Sequence, residues 1–296
     1  MRETASPELS QRTTLRVGGT AIAELLLERR EDVECLPEKL RALGGHALAL
    51  GAGSNILARD GALPLVLVRP CLPDGPEIIG SEDGKILVRA GAGVPMPRML
   101  RFCLTHGLCG LEGLAGIPGT VGGAVAMNAG SYGTETGDAV QVVEAVIGND
   151  IRHCTASELE FGYRNMRITG CSDDFIVLNA TFALTKAERD GISKAMRHNF
   201  FEKKSKQPVT AWSAGCVFKN PSPQMPAGKL LDLAGCKGKK FHGMAFSSLH
   251  ANFLINEGTG TASAALDLLQ EAQEAVWRVF GIQLEPEVRI VPCPLS

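Results

Sequence analysis

The chain has 296 residues, 45% of them apolar and 21% charged, with a formal charge of -2 and a pI near 6.3. This balance predicts a globular protein of one large domain or two to three modest ones, able to bury a real core. It gives no reason to expect a nucleic acid or a membrane surface as a partner.

The chain opens on the polar stretch 1–14, which lacks the apolar core of a signal peptide. No later segment approaches the roughly twenty apolar residues of a membrane span. We therefore expect a cytoplasmic protein. The nine cysteines are odd in number and include no CxxC pair, so we expect most of them to be small buried residues rather than a disulfide framework.

The first third of the chain is predicted to alternate short strands with helices. We expect a strand over Ala21–Glu28 and a helix over Glu31–Leu43, whose apolar face is Val33, Leu36, Leu40 and Leu43. A short buried strand, His46–Leu50, then enters the turn Gly51-Ala52-Gly53-Ser54-Asn55. Because no third glycine opens a helix after this turn, a Rossmann domain is rejected and a phosphate-binding loop stays possible.

From Leu65 to Ala90, short β-type runs between Pro and Gly turns predict a small sheet, and a helix is expected over Pro95–Thr105. The segment 107–137 follows and contains ten of the 34 glycines. It is too short and too rich in Leu for a collagen-like repeat, and no Walker lysine follows its glycines. Tight turns alone could explain two or three glycines, whereas ten favour a loop whose bare amides bind a phosphate or a ring.

The remainder of the chain reads as mixed strands and helices without βαβ regularity. A helix over Ala187–Lys206 ends in a basic run, which we interpret as a solvated helix end, and Pro208 marks a plausible boundary. A long helix should begin near Thr261 and Ser263 and stop at Gly281. The other predicted elements are strands Val140–Ile147, Ile151–Cys154, Phe175–Leu184, His250–Asn256 and Val288–Val291, and a helix over Ala227–Ala234.

Eight short motifs occur in one order along nearly the whole chain, from about Thr13 to Val291. They are Arg16-Val-Gly-Gly19, Gly51-Ala-Gly-Ser-Asn55, Leu114-Ala-Gly-Ile-Pro-Gly-Thr-Val-Gly-Gly123, Asn128-Ala-Gly130, Phe161-Gly-Tyr-Arg164, Gly215-Cys-Val-Phe-Lys-Asn-Pro221, His250-Ala-Asn-Phe253 and Leu284-Glu-Pro-Glu-Val-Arg289. In order and spacing they resemble the UDP-N-acetylenolpyruvoylglucosamine reductase family, the flavoenzymes that complete UDP-N-acetylmuramate in peptidoglycan synthesis.

The resemblance implies an α+β fold, with a two-lobed FAD-binding domain of the vanillyl-alcohol-oxidase type and a C-terminal α+β substrate-binding domain. The lobes would span residues 1–70 and 71–205, the substrate domain 206–283, and a return strand with the catalytic carboxylate 284–296. FAD would be held non-covalently, since no His or Cys lies in the loops at a position suited to a tether. The implied FAD-binding residues are Gly51, Gly53, Ser54, Asn55, Ile117, Gly119, Thr120, Gly122, Gly123 and Gly130.

In this family NADPH reduces the flavin, which then passes hydride to the enolpyruvyl double bond. Charge develops on the substrate carboxylate, so the site needs a cation and one proton source. By the match Arg164 is the cation, and Glu287 assists protonation, with Glu285 as a rival two residues earlier. Cys216 stands where the family commonly has serine as proton donor. A thiol of ordinary pKa, about 8.5, is mostly protonated at neutral pH and can fill this role.

The same match assigns the nucleotide end of the substrate to Lys206 and Asn220, with His250 as a weaker candidate. No histidine has metal-ligand spacing, and the chemistry needs no metal. Two further departures from the family are Arg12, in place of an asparagine, and Met166, in place of a serine. With only Tyr132 and Tyr163 as tyrosines, the chain looks like the shorter type that lacks a tyrosine-bearing loop.

The sequence thus predicts a monomeric, NADPH-dependent flavoenzyme acting on a small sugar-nucleotide substrate. Two alternatives stay open. One is another flavin oxidoreductase on the same scaffold, such as a small-alcohol oxidase. The other is a catalytically silent nucleotide-binding protein, motivated by the changes at Arg12, Met166 and Cys216.

Overall fold

The computed structural model describes residues 1–171 and 174–292 of the chain. Its helices are α1 (Arg30–Glu34), α2 (Leu36–Leu43), α3 (Met96–His106), α4 (Val121–Ala126), α5 (Arg189–Lys206), α6 (Ala227–Leu233) and α7 (Ala262–Phe280). Its strands are β1 (Arg2–Ala5), β2 (Thr20–Leu27), β3 (His46–Ala49), β4 (Ile56–Ala58), β5 (Ala62–Pro70), β6 (Glu77–Glu82), β7 (Lys85–Gly91), β8 (Leu108–Cys109), β9 (Gly130–Ser131), β10 (Thr134–Glu135), β11 (Val140–Ile147), β12 (Asp150–Thr155), β13 (Leu159–Gly162), β14 (Asn165–Ile168), β15 (Phe175–Lys186), β16 (Trp212–Cys216), β17 (Lys240–Phe241), β18 (Met244–Phe246), β19 (Phe253–Asn256) and β20 (Arg289–Val291).

The chain divides into two compact units. The first unit comprises Met1–Thr4, Ala23–Ala52 and Val66–Lys203, and the second comprises Ala5–Ile22, Gly53–Leu65 and Lys204–Ser296. Both units are built from segments far apart in the chain. The division into three lobes and a return strand stays a prediction.

The central sheet of the first unit is antiparallel. Its strands run β12-β11-β15-β7-β6, and β8 also pairs with β15. β15 is buried over most of its length because neighbouring strands flank it and α4 packs against it. The core on this sheet includes Val88, Met99, Val143 and Phe182, none more than 1% exposed.

The second unit has its own sheet, β16-β19-β18-β17, and its own apolar core. Helix α7 lies against it through a face that includes Leu268, Leu269 and Val276. A parallel pair, β20 with β4, brings Arg289–Val291 alongside Ile56–Ala58. Residues Arg289–Val291 are thereby fixed beside the strand that follows the Gly53–Asn55 turn.

Most predicted elements are present, and the differences have local causes. The single helix expected over 31–43 is two helices, separated at Cys35, with Pro37 in the first turn of the second. The strand at 46–50 was predicted to be buried, which is wrong for most of it: His46, Ala47 and Ala49 are exposed. The runs over 65–90 do not form one sheet, because β5 pairs with β2 and β3 whereas β6 and β7 pair with each other.

Two expectations about side chains are also wrong. The basic end of α5 is not wholly solvated, since Lys203 is 3% exposed. Among the described cysteines only Cys103, Cys154 and Cys236 are buried, so most do not serve as core residues. Within the described residues no disulfide is formed. Likewise, none of the described helices is both long and apolar enough to cross a membrane.

Candidate active site

The glycine-rich segment of the first unit folds onto the Gly51 turn. A Cβ on Gly51 would lie 2.4 Å from the Thr120 hydroxyl oxygen, so the two turns meet because this position lacks a side chain. Neither Gly51–Asn55 nor Ile117–Gly123 contains an acidic residue. The absence of acidic side chains and the close approach of main chain fit a phosphate-bearing cofactor such as FAD.

Several backbone amides of the segment Ile117–Gly123 already donate hydrogen bonds to other parts of the protein. The amide of Val121 donates to Val94 O at 2.9 Å, and that of Gly122 donates to Ala92 O at 2.9 Å. A Cβ on Gly122 would lie 2.6 Å from the Ala92 Cβ. Packing against Ala92 therefore requires glycine at this position, and a role of Gly122 in binding flavin stays a prediction.

Thr120 begins the short helix α4 by accepting a hydrogen bond from the Gly123 amide at 3.5 Å. Gly119 accepts at its carbonyl from Met96 N at 3.0 Å, and Ile117 donates to Leu114 O at 3.0 Å. The predicted flavin loop is thus held between α3, α4 and the turn that precedes it.

Arg164 lies in a tight turn between β13 and β14. Gly162 pairs with Asn165, so Tyr163 and Arg164 form the turn, and Arg164 has φ +55°, a conformation uncommon for a residue with a side chain. Its guanidinium carbon lies 5.0 Å from the centre of the Tyr163 ring. A Cβ on Gly130 would be 3.3 Å from Arg164 Nη1, so the structure brings these two predicted site residues together.

Asn128 holds this arrangement, a role that the sequence reasoning missed. Its buried side-chain amide donates to Gly162 O at 3.0 Å and to the Glu135 carboxylate at 2.7 Å, and it accepts from Gly137 N at 2.9 Å. A buried amide with all these bonds made fixes three segments relative to each other. Its place in the Asn-Ala-Gly motif was the available signal.

The second unit brings Asn55, Cys216 and Glu287 into one neighbourhood. The Glu287 amide donates to Val217 O at 2.8 Å, one residue after Cys216. The Asn55 side-chain amide donates to Glu287 O at 3.1 Å, and Arg289 N donates to Asn55 O at 2.9 Å. A predicted flavin residue, proton donor and carboxylate therefore share one set of main-chain contacts.

Gly53 belongs to the same neighbourhood. Its φ is +64°, and a Cβ there would lie 2.3 Å from Arg12 O and 2.8 Å from the Thr13 Cα. The amide of Thr14 donates to Gly53 O at 3.2 Å, which ties the turn to the preceding segment. Only glycine fits at this position. Ser54 lies in the same turn, half-buried.

Glu285 and Glu287 differ clearly in environment. Glu285 is largely exposed and forms an ion pair with Lys219, Oε2 to Nζ, at 3.2 Å. The bridge between Phe218 and Pro286 lies between them and places both carboxylates on an extended segment. An exposed pair of this kind is a surface feature. Glu287, in contrast, is only partly exposed, and its amide is bonded to the residue after Cys216.

Asn252 supports the segment after Cys216 and was also missed. Its side chain accepts from Phe218 N at 3.0 Å and donates to Phe218 O at 2.8 Å, and its carbonyl accepts from Val217 N at 2.9 Å. Asn252 is 2% exposed, and these three hydrogen bonds fix the main chain of Val217 and Phe218.

The three residues predicted to bind the nucleotide of the substrate have different surroundings. Lys206 is exposed at the end of α5. Asn220 accepts at Oδ1 from the Ala227 amide at 2.9 Å, which places its side chain at the start of α6. His250 Nδ1 accepts from Asn252 N at 3.2 Å, and burial lowers the pKa of its imidazole. A neutral ring in this tautomer carries its proton on Nε2, where it could donate to a ligand.

Met166, one of the departures, is 1% exposed and belongs to the core of the first unit. It is therefore a packing residue. In the described part of the chain, no group of three or more His, Cys, Asp or Glu residues could hold a metal ion.

Comparison with known proteins gives a consistent result over nearly the whole chain. The family model for the UDP-N-acetylenolpyruvoylglucosamine reductase C-terminal domain matches residues 207–291, and that for an FAD binding domain matches residues 23–154. A UDP-N-acetylenolpyruvoylglucosamine reductase of Nitratidesulfovibrio vulgaris is 50% identical over 289 residues, which cover 96% of this chain and 97% of the relative. Its counterpart in Oleidesulfovibrio alaskensis is 47% identical over 291 residues, covering 97% of each.

Among solved structures, the crystal structure of UDP-N-acetylenolpyruvylglucosamine reductase from Thermus caldophilus superposes with a TM-score of 0.80 at 33% identity. The superposition covers 98% of both chains. The predicted α+β class, with an FAD-binding domain followed by a C-terminal domain, is confirmed.

Proposed function

The chain belongs to the UDP-N-acetylenolpyruvoylglucosamine reductase family, and on that premise we propose that it uses NADPH to reduce the enolpyruvyl ether of UDP-N-acetylglucosamine to UDP-N-acetylmuramate. The observation that carries the proposal is the neighbourhood of Asn55, Cys216 and Glu287 in the second unit. It combines a cofactor turn, a proton source and a carboxylate.

The cofactor we propose is non-covalent FAD, which when bound would accept hydride from NADPH and deliver it to the enolpyruvyl double bond. The residues we propose for it in the first unit are Gly51, Ile117, Gly119, Thr120, Gly122, Gly123 and Gly130. In the second unit they are Gly53, Ser54 and Asn55. The absence of acidic side chains from Gly51–Asn55 and Ile117–Gly123 supports this assignment, because a diphosphate is negatively charged.

We assign proton delivery to Cys216. Hydride addition leaves a carbanion beside the substrate carboxylate, and the thiol would donate its proton to that carbon. Glu287 would assist this transfer. Arg164 would bind the substrate carboxylate as negative charge builds on it, since its planar fork suits two carboxylate oxygens.

Lys206 and Asn220 would hold the nucleotide of the substrate, with His250 as a donor through Nε2. Lys206 is exposed and Asn220 keeps one side of its amide for α6, so each could contribute a cation or a single donor. We further propose that the enzyme acts in the cytoplasm as a monomer.

The proposal is tested by following the visible flavin absorbance under anaerobic conditions. We expect NADPH to bleach the bound flavin and the enolpyruvyl sugar nucleotide to restore its colour. If oxygen drives turnover of a small alcohol without NADPH, the protein is an oxidase on the same scaffold. A flavin that NADPH does not bleach would instead identify a silent nucleotide-binding protein.

A further inference from the structure

A buried lysine in α5 has no part in the chemistry described above. Lys203 is 3% exposed, and its Nζ donates to Gly113 O at 2.9 Å and to Ala115 O at 2.6 Å. No ion pair among the described residues includes it. Its Nζ also lies 5.3 Å from the centre of the Tyr132 ring. The buried ammonium is therefore stabilised by two carbonyl dipoles and by the face of the Tyr132 ring.

Three neighbouring residues of α5 contact the segment 112–116. We call these residues, Asn199, Phe200 and Lys203, the α5 clamp. The Asn199 side chain donates to Glu112 O at 3.1 Å. Positions 199 and 203 are four residues apart and share a helix face. The clamp thus binds the carbonyls of three residues within one short segment, 112–115.

Phe200 completes the clamp at Gly116, the residue that follows this segment. Gly116 has φ +82°, and a Cβ there would lie 3.1 Å from Phe200 Cδ2 and 3.4 Å from Lys203 Cδ. The side chains of α5 therefore pack more tightly against the main chain here than a residue with a Cβ would ordinarily allow.

The clamped segment leads directly into the predicted flavin loop. Ile117 and Gly119 come one and three residues after Gly116, and Ile117 N donates back to Leu114 O at 3.0 Å. A shift of the Gly113 and Ala115 carbonyls would move this loop, because few rotatable bonds separate them.

The charge of Lys203 is buried and is not neutralised by a carboxylate of the described residues. Burial lowers the pKa of its ammonium to about 8, so the group keeps its proton at neutral pH. No carboxylate of the described residues pairs with it. An anion bound at the adjoining loop would find a fixed positive charge on the protein side, screened less than a surface charge would be.

We propose that Lys203 is a positioning residue for the FAD diphosphate: it fixes the carbonyls of Gly113 and Ala115, and so the loop that follows, and it adds positive potential there. This role rests on the proposed flavin and not on the identity of the substrate or the reductant.

The test is the affinity of the flavin-free protein for FAD, measured by quenching of FAD fluorescence with no NADPH or sugar nucleotide present. Lys203→Met removes both hydrogen bonds and the charge, and it should weaken FAD binding by about tenfold or more. The matched control is Lys204→Met, which removes an exposed charge from the next position of the same helix. It should stay within about twofold of the unmodified protein.

Asn199→Ala keeps the experiment informative if Lys203→Met fails to fold, because it removes one partly buried bond of the clamp and no charge. It should weaken FAD binding several-fold. Thermal unfolding of the flavin-free variants is measured in parallel. If the variants lower the unfolding temperature but bind FAD as tightly as the unmodified protein, Lys203 only stabilises the fold. That result would overturn the proposal. Failure of the unmodified protein to bind FAD would instead refute the proposed function.

Discussion

Cys216 and Glu287 lie on segments joined by the hydrogen bond from Glu287 N to Val217 O, and the proposed chemistry assigns both to one proton transfer. Arg164 is held in a strained turn, which the surrounding structure maintains through Asn128. In the proposed reaction Cys216 donates the proton, Glu287 assists and Arg164 binds the developing negative charge. Each assignment can be tested by a single substitution.

Cys216→Ala should leave reduction of the bound flavin by NADPH unchanged, while reduction of the enolpyruvyl substrate falls by about 100-fold or more, the usual contribution of a general acid. Cys216→Ser, which keeps a donor in place, should remain active. Stopped-flow absorbance separates the two half-reactions. Undiminished substrate reduction in the alanine variant would remove Cys216 from the mechanism.

Substitution of the two nearby carboxylates should give unequal results. Glu287→Gln should slow substrate reduction by about 100-fold, because a group that assists proton transfer is lost. Glu285→Gln removes only an exposed pair with Lys219 and should change the rate by less than about threefold. Steady-state rates of both variants decide the matter, and equal losses would contradict the assignment.

The sequence predicts roles for Arg164, Cys216 and Glu287 because their motifs resemble a known family, whereas its prediction that the basic end of α5 is solvated is wrong at Lys203. A basic run at the end of a helix is ordinarily solvated. Whether one lysine of such a run turns inward depends on carbonyls some ninety residues earlier in the chain, at Gly113 and Ala115. No local pattern encodes that contact.

At the scale of single elements, α7 shows how a helix end is fixed by residues near and far. Thr261 accepts from Ala264 N at 3.2 Å, as the sequence predicted, and Gly281 closes the helix at φ +66°. Asp60, which precedes Ala262 by 202 residues in the sequence, accepts from Ala262 N at 3.1 Å and from both the amide and the hydroxyl of Ser263 at 2.8 Å. The local cap was predictable, whereas the distant one was not.

Asp60→Ala should destabilise the protein by about 1–2 kcal/mol, because three hydrogen bonds and a negative charge at the start of α7 are lost. The midpoint of thermal unfolding should fall by a few degrees, by an amount typical of domains of this size. Asp267→Ala, an exposed change within the same helix, is the matched control and should have little effect. An unchanged midpoint for Asp60→Ala would show that Thr261 alone suffices as a cap.

The other element differences have equally physical reasons. Hydrophobic spacing predicted one helix over 31–43, but Pro37 cannot donate an amide within a continuous helix, so the helix is divided. The strand at 46–50 has buried residues only at Leu48 and Leu50. Alternation of this kind is typical of a half-exposed strand, which the short run of Ala and Leu did not reveal.

At the scale of the whole molecule, both compact units draw on distant parts of the chain. The turn Gly51–Asn55 is divided between them, with Gly51 in the first unit and Gly53 to Asn55 in the second. The second unit also pairs β4 with β20, which lie more than two hundred residues apart in the sequence. Periodicity in a short window cannot show such pairing, so the sequence predicted the fold class through its family motifs rather than through its elements.

The central claim is that main-chain amides and carbonyls, brought close by missing side chains, bind FAD in this chain. It is tested most directly by removing any flavin from the purified protein, adding FAD and measuring the visible spectrum and stoichiometry of the complex. The account predicts a yellow protein with about one FAD per chain. A polypeptide that stays colourless and cannot be reconstituted would contradict it.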